Sequence, residues 1–308
     1  MEYFGLLKKY PVNRPLTEWE IAHHLPQNRP SGVPPWSQFS VVRMNSTYLE
    51  CVDKFFEGRG ILAWWGLFVV SLLAWFLIAI SILTVGNWMQ GKDMQGNLFA
   101  LLFVYSMSVP LIIFFWHIIL RKEVFRLTHY PMRFNRKNRM VYVTRLDGTV
   151  IAESWDRLFF VLADLEQEQK GFYDIRGHRL AEDGKTVLES FALPLYGHIN
   201  DENMFSLWEF IRRYMQEGPQ AFMDDIEVVM DVSDRREAFW DGFARLGTDI
   251  GNDFLRLLLF PVNLWYALGR WIAMHTSKIP VWPPEVEAEC QIDPDDPYIR
   301  DRDNLARS

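Results

Sequence analysis

The stretch "HYPMRFNRKNRMVYVTRLDGT", residues 129–149, follows directly on a long apolar run and is crowded with arginine and lysine. Its second half changes character. "RMVYVTR" and the following "TVIAESW" alternate apolar and polar side chains, and Asp147-Gly148 between them is a strong hairpin signal. The stretch thus reads in two ways at once: as a basic flank to something greasy, and as the opening of an antiparallel β domain.

Two uncharged windows precede it. "ILAWWGLFVVSLLAWFLIAISILTV" (61–85) is long enough, about 37 Å as a helix, to cross a hydrocarbon core of roughly 30 Å. "NLFALLFVYSMSVPLIIFFWHIIL" (97–120) is a second span, in which Pro110 predicts a kink that a membrane helix tolerates. The short polar connection "GNWMQGKDMQG" makes the pair a transmembrane helical hairpin. Residues 121–145 hold eight basic side chains against one acidic, while the connection has only Lys92. Basic residues collect on the cytoplasmic side, so both termini are expected there, with Arg133, Arg136, Lys137 and Arg139 as topology markers that also touch anionic lipid.

Downstream, "RLFFVLADLE", "GFYDIRGHRL" and "TVLESFALP" read as further strands, with Asp183-Gly184 repeating the turn chemistry. Asn200, Asp201 or Asn203 then caps a helix carrying Met204, Leu207, Ile211 and Met215 on one face, stopped by Gly218-Pro219. A further helix after Ser233 or Asp234 runs into "LRLLLFPVNLWYALGRWIAMHTS", where Pro261 is expected to break or kink it. That segment reads as lying in the membrane plane or against the β domain, with a third span as the alternative. The expected fold is therefore an α+β membrane protein. A transmembrane hairpin is followed by a small pleckstrin-homology-like antiparallel β domain with a capping helix, and by C-terminal amphipathic helices. The boundaries are 1–60 (a loop-like N-terminal segment lying along the cytoplasmic domain), 61–120, 121–222 and 223–308, the last ending in an extended, acidic, proline-rich tail.

Charge is unevenly distributed. Residues 146–308 hold 16 basic and 31 acidic side chains, a local net charge of −15 within an overall −7. Such a domain repels nucleic acid, whose phosphates demand a positive footprint. Cys51 and Cys290 form no disulfide framework and point to a reduced setting, and the opening "MEYFGLLKKYPVNRP" does not read as a signal peptide. Motifs for phosphate, dinucleotide, zinc or nucleophilic chemistry are not found; His23-His24 reads as a surface pair, and the tail aspartates lack the glycine and glutamate of a calcium loop. No catalytic residue, cofactor or metal is expected.

"VVRMNSTYLECVD" (41–53) and "HYPMRFNRKNRMVYVTRLDGTVIAESWDRL" (129–158) resemble a family of bacterial two-span inner-membrane proteins found beside type VI secretion genes. The likeness extends over about residues 40 to 215. It implies an immunity protein that protects its producer by occluding a cognate toxic effector, such as a basic nuclease, with Asp224, Asp225 and Glu227 as candidate contacts. The alternative is an inner-membrane adaptor or sensor whose β domain recruits lipid or secretion components.

Overall fold

The computed structural model describes residues 10–92, 94–165, 171–199, 201–222, 229–230, 232–247 and 253–305. In chain order the first elements are β1 (Arg14–Pro15), α1 (Glu18–Ala22), β2 (Val41–Met44), β3 (Tyr48–Cys51), α2 (Ile61–Met89) and α3 (Met94–Phe115). A π-turn (Trp116–Leu120) and α4 (Arg121–Glu123) lead into β4 (Met132–Asn135), β5 (Met140–Thr144), β6 (Val150–Ser154), β7 (Leu158–Asp164), β8 (Tyr173–Leu180) and β9 (Thr186–Gly197). Then come α5 (Glu202–Glu217), α6 (Phe239–Gly247), α7 (Asp253–Thr276) and α8 (Pro284–Glu289).

The chain divides into two units. One, the β unit, is built from Met1–Glu57, Leu127–Arg236 and Ile279–Ser308; the other, the helical unit, from Gly58–Arg126 and Glu237–Lys278. Each is described by itself.

The β unit holds two antiparallel sheets, ordered β1-β9-β8-β7 and β2-β3-β4-β5-β6. Local turn chemistry makes the hairpins. Asp147 accepts from the Thr149 backbone and hydroxyl, with Gly148 at φ +86°; Asp183 does the same for Lys185 and Thr186, with Gly184 at φ +64°. Only glycine adopts this left-handed backbone at no steric cost. α5 starts where Asp201 caps the Asn203 N–H and stops at Gly218, φ +92°. Its apolar face, Met204, Leu207, Ile211 and Met215, enters the core with Trp208 and Phe210.

Strands β3 and β4 are neighbours, Leu49 opposite Phe134, although two long apolar helices separate them in sequence. Both are buried along their whole length. One face (Leu49, Cys51, Met132, Phe134, Val141, Val143) meets α5 in the main core. The other face, carrying Tyr48 and Tyr142, is covered by Trp282, Val286 and Cys290. The tail is therefore part of the fold and carries α8, where the sequence reading has an extended segment. Residues 41–51 are likewise sheet, not loop, while β1 pairs β9 and His24 bridges Val161.

In the helical unit, α2 and α3 touch through Ser81 Oγ and the Tyr105 hydroxyl, 3.1 Å apart, and through Asn87 donating to Asn97, 2.9 Å. Among the described residues three helices are long and apolar enough to cross a membrane: Ile61–Met89, Gln95–Glu123 and Phe254–Thr276. Pro110 and Pro261 both lie inside helices, and α7 runs through Pro261 as one helix, so of the break or kink expected there the break does not occur.

Candidate functional site

Much of the basic run at residues 133–139 is drawn into the β unit. Arg133 lies directly opposite Glu50 across β3 and β4 and pairs with it; its second nitrogen is 3.0 Å from Glu287. The guanidinium is sandwiched by aromatic faces, 4.5 Å from the Tyr48 ring and 4.8 Å from Trp282. It is buried, so lipid contact is not its role. Arg139 pairs with Asp156 and donates to the Met215 carbonyl, Lys137 reaches Asp293 at 2.7 Å, and Arg136 lies half-buried beside Gly218. The exposed basic residues at the end of the second apolar helix are Arg121 and Arg126, beside an exposed Phe125 at φ +58°. Asp224, Asp225 and Glu227 lie outside the described residues.

Beside the Glu50–Arg133 pair a cleft of about 440 Å³ is lined by Arg43, Glu50, Arg133, Asp234, Val281 and Trp282, among others. Its volume falls in the range of small-ligand sites. Arg43 and Arg133 face the carboxylates of Glu50, Asp234 and Glu287, two of which already meet Arg133, so the cleft offers a slightly acidic rim and an indole. Such a lining suits a polar segment of a protein partner better than a free anion.

Two buried polar clusters lie elsewhere in the β unit. In the first, Glu20 at the start of α1 closes a capping box with Thr17, accepts from Arg14 at 2.7 and 2.5 Å, and lies 3.3 Å from His178 Nε2. His178 Nδ1 is 2.7 Å from Ser190 Oγ. A serine, a histidine and a carboxylate in line resemble a catalytic relay, but all three are buried between β8, β9 and α1. The serine also sits on the histidine nitrogen that a hydrolase gives to its acid. The chain instead positions a core histidine, bonded at Nδ1 and approached by a carboxylate at Nε2. Burial pushes the His178 imidazole below its usual range, with Glu20 opposing. Burial would raise the Glu20 carboxyl, yet the bonds from Arg14, His178 and the Thr17 N–H hold it well below the usual carboxylate range.

In the second cluster Asp174, fully buried, accepts from Lys54 at 2.5 Å and from Arg176 at 2.7 Å. Tyr10, Phe55 and Tyr196 place their rings near the Lys54 ammonium, and Tyr10 is also 4.3 Å from Arg176. Burial acts to raise the Asp174 carboxyl, but the two cations hold it below its ordinary value. Sequence reading misses both clusters, since their members are far apart along the chain. Weak local signals were the Thr17-to-Glu20 capping box and the adjacent acid and base at Asp53-Lys54.

Among the described residues no group of three or more histidine, cysteine or acidic side chains could hold a metal ion. Cys51 and Cys290 are both free and buried, and burial pushes the Cys51 thiol up to about 12. His23 and His24 are half-buried, stacked on Trp19 and Phe159.

No curated protein and no solved structure matches the chain. A family model does, over residues 109–294, from within α3 through all of β4–β9 and α5–α8. That covers more than half of the chain and reaches beyond residue 225, and the protein belongs to a family of unknown function, DUF6708.

Proposed function

We propose that this protein is a membrane-anchored immunity protein of the bacterial inner membrane, which binds a toxic effector through its cytoplasmic β unit and blocks it by occlusion. One observation carries the membrane-anchored part. β3 and β4 pair in one sheet, yet α2 and α3 intervene. A sheet folds on one side of a bilayer, so a membrane insertion between two of its strands must cross an even number of times. Two apolar helices meet that condition as a transmembrane hairpin, and the membrane then holds a folded β unit at its surface. Two antiparallel sheets closed by α5 have the outline of a pleckstrin-homology domain with extra strands.

The binding part is supported by charge. Residues 146–308 carry a net −15, which steers a basic partner into fast encounter and matches it in the complex. Occlusion asks only for a complementary surface, and the acidic residues Asp224, Asp225 and Glu227 together with the slightly acidic cleft at Arg43 and Trp282 supply candidate contacts. The resemblance to proteins encoded beside secretion genes points the same way.

Full-length protein, extracted in detergent, is used as bait for the product of the adjacent gene with its active site disabled. Stoichiometric capture that weakens with salt and is lost in an Asp224→Lys/Asp225→Lys/Glu227→Lys variant is the expected result. Failure of capture by folded protein sinks the immunity reading. The exposed Arg121, Arg126 and Phe125 favour the adaptor as second reading; there, binding of anionic vesicles would depend on those residues and capture would not occur.

A further inference from the structure

α7 is long and apolar enough to be a third span, yet the chain on either side of its unit belongs to the same β unit: Leu127–Arg236 before and Ile279–Ser308 after. The later stretch is woven into the sheet region, where Trp282, Val286 and Cys290 pack on Tyr48 and Tyr142, and Arg300 bridges Met44. One crossing by residues 237–278 would strand these partners on opposite sides of a bilayer. The number of crossings is therefore even: zero or two.

Two crossings are excluded by polarity. A second crossing would have to be made by residues 237–253, 17 residues that carry five charged side chains, Glu237, Asp241, Arg245, Asp249 and Asp253, where a span needs roughly 20 predominantly apolar ones. Asp241 on α6 and Arg256 on α7 are both exposed. Charged groups facing acyl chains at depth are strongly disfavoured, whereas at the headgroup level they are at home.

The helical unit shows where α7 meets α2. Gly60 approaches the Arg270 backbone so closely that a Cβ would lie 2.5 Å from its Cα, and Gly269 is as tightly placed against Trp64. Ala63, with Leu67 and Val70, packs with Ala273 and Ile272. All of these contacts fall within the first three turns of α2, the end at which the chain leaves the β unit. Small residues at the crossing let the backbones come together, as membrane helices do. Glu237 pairs with the buried Arg270 at 2.5 Å, and Phe243 stacks edge-on against Phe260, so α6 runs back along α7. Outward, Trp240, Phe254, Leu257, Leu258 and Val262 are all exposed. A contiguous apolar face of this kind has no place in water.

We infer that α6 and α7 form a monotopic hairpin, embedded in the leaflet that faces the β unit and entering and leaving the bilayer on that side, with its apolar face against phospholipid acyl chains. The hairpin lies inside the matched family region. This rests on the membrane reading of α2 and α3 and is tested separately from it.

The test uses the full-length protein in sealed vesicles of both orientations, with single cysteines added by Lys92→Cys, Asp183→Cys, Asn252→Cys or Asp295→Cys, labelled by a membrane-impermeant maleimide. The native thiols are buried and give little background. Opposite sidedness of Lys92→Cys and Asp183→Cys checks the two-span anchor itself. The hairpin requires Asp295→Cys to label with Asp183→Cys, and Asn252→Cys to label from that side or only after detergent. Labelling of Asp295→Cys from the opposite side would establish a third span, and labelling of Asn252→Cys from the Lys92 side two further crossings; either overturns the proposal. A spin label at Leu257→Cys should relax with oxygen dissolved in lipid, and a signal governed by an aqueous nickel chelate would overturn the lipid contact.

Discussion

The two units solve opposite problems with the same chemistry. In the β unit the apolar side chains are inside: Trp155, Phe160 and Trp208 stack within 4.7 to 5.8 Å of one another at the centre of the core. In the helical unit they are outside, with Phe254 75% and Leu257 74% exposed, while the charged groups Arg59, Glu123, Glu237 and Arg270 are the buried ones. An interior is whatever the surroundings refuse. Water drives apolar surface inward, whereas lipid offers no such gain and leaves polar groups to find each other.

Both units nevertheless hold buried ion pairs, and their removal is the largest effect expected. Asp174→Asn takes the shared anion from Lys54 and Arg176 and leaves two cations buried. Breaking a buried pair in this way costs about 3–5 kcal/mol, read as a large fall in the melting temperature of full-length protein in detergent. A variant that melts like the parent would show that the cluster relaxes or takes in solvent. The helical unit has its own version in Glu237→Gln, which leaves Arg270 with an amide in place of a carboxylate.

The next largest effect separates the units. Phe160→Ala opens a cavity among three aromatic rings and should lower stability by about 3–5 kcal/mol. The same exchange at Phe254 removes a side chain that is 75% exposed, and its effect on the melting temperature should stay within about 0.5 kcal/mol, with weakened retention of the α6–α7 segment in membranes instead. Equal effects on melting would mean that Phe254 is covered by protein, and the contrast between the units would fall.

Smaller again is the loss of a cap. The Glu123 carboxylate accepts from the Gly60 and Ala63 N–H groups at 3.0 and 2.8 Å and so closes the start of α2 from the end of the next apolar helix. Glu123→Ala removes this cap, at about 1–2 kcal/mol in all, and hydrogen exchange should quicken first at residues 60–64. Uniform exchange along α2 would argue against the cap.

The contrast also explains which parts were legible in sequence. β5 to β9 and α5 announce themselves because their signals are local: an alternating pattern, two Asp-Gly turns, an aspartate cap and a glycine stop. β2 and β3 do not. They are four residues each, laced with polar side chains, and β3's partner β4 enters only after both apolar helices. The basic run shows the same limit. Its sign was readable, but the acids that absorb it, Glu50, Asp156, Glu287 and Asp293, are distant in sequence, and Arg133 in particular belongs to the sheet. Pro261 reads as a break or a kink by its missing N–H, and α7 continues through it, so the missing bond does not end the helix. The apolar helices were legible by length, whereas the even number of crossings required of residues 237–278 emerges only from the strands and tail that return to one unit.

The smallest effect is one of pH, and it belongs to the β unit. His178 has its folded pKa lowered by burial, so below about 6.5 the unfolded chain takes up a proton that the folded chain refuses. Its contribution is present above that value and is lost as pH falls. Glu20 and Asp174 also have lowered folded values, so theirs holds above about 4 and is lost on further acidification. Stability should therefore be level above neutrality and decline in two stages, the slope set by the excess of protons bound in the unfolded state. His178→Gln, which keeps a polar side chain against Ser190, should shrink the first stage, leaving the part that burial of His24 supplies, and should leave the second. Tryptophan fluorescence during denaturation at pH 7.5, 5.5 and 4 reads both. A stability that rises between pH 7.5 and 5.5 would mean the imidazole is charged in the fold, with Glu20 and not burial in control of that cluster.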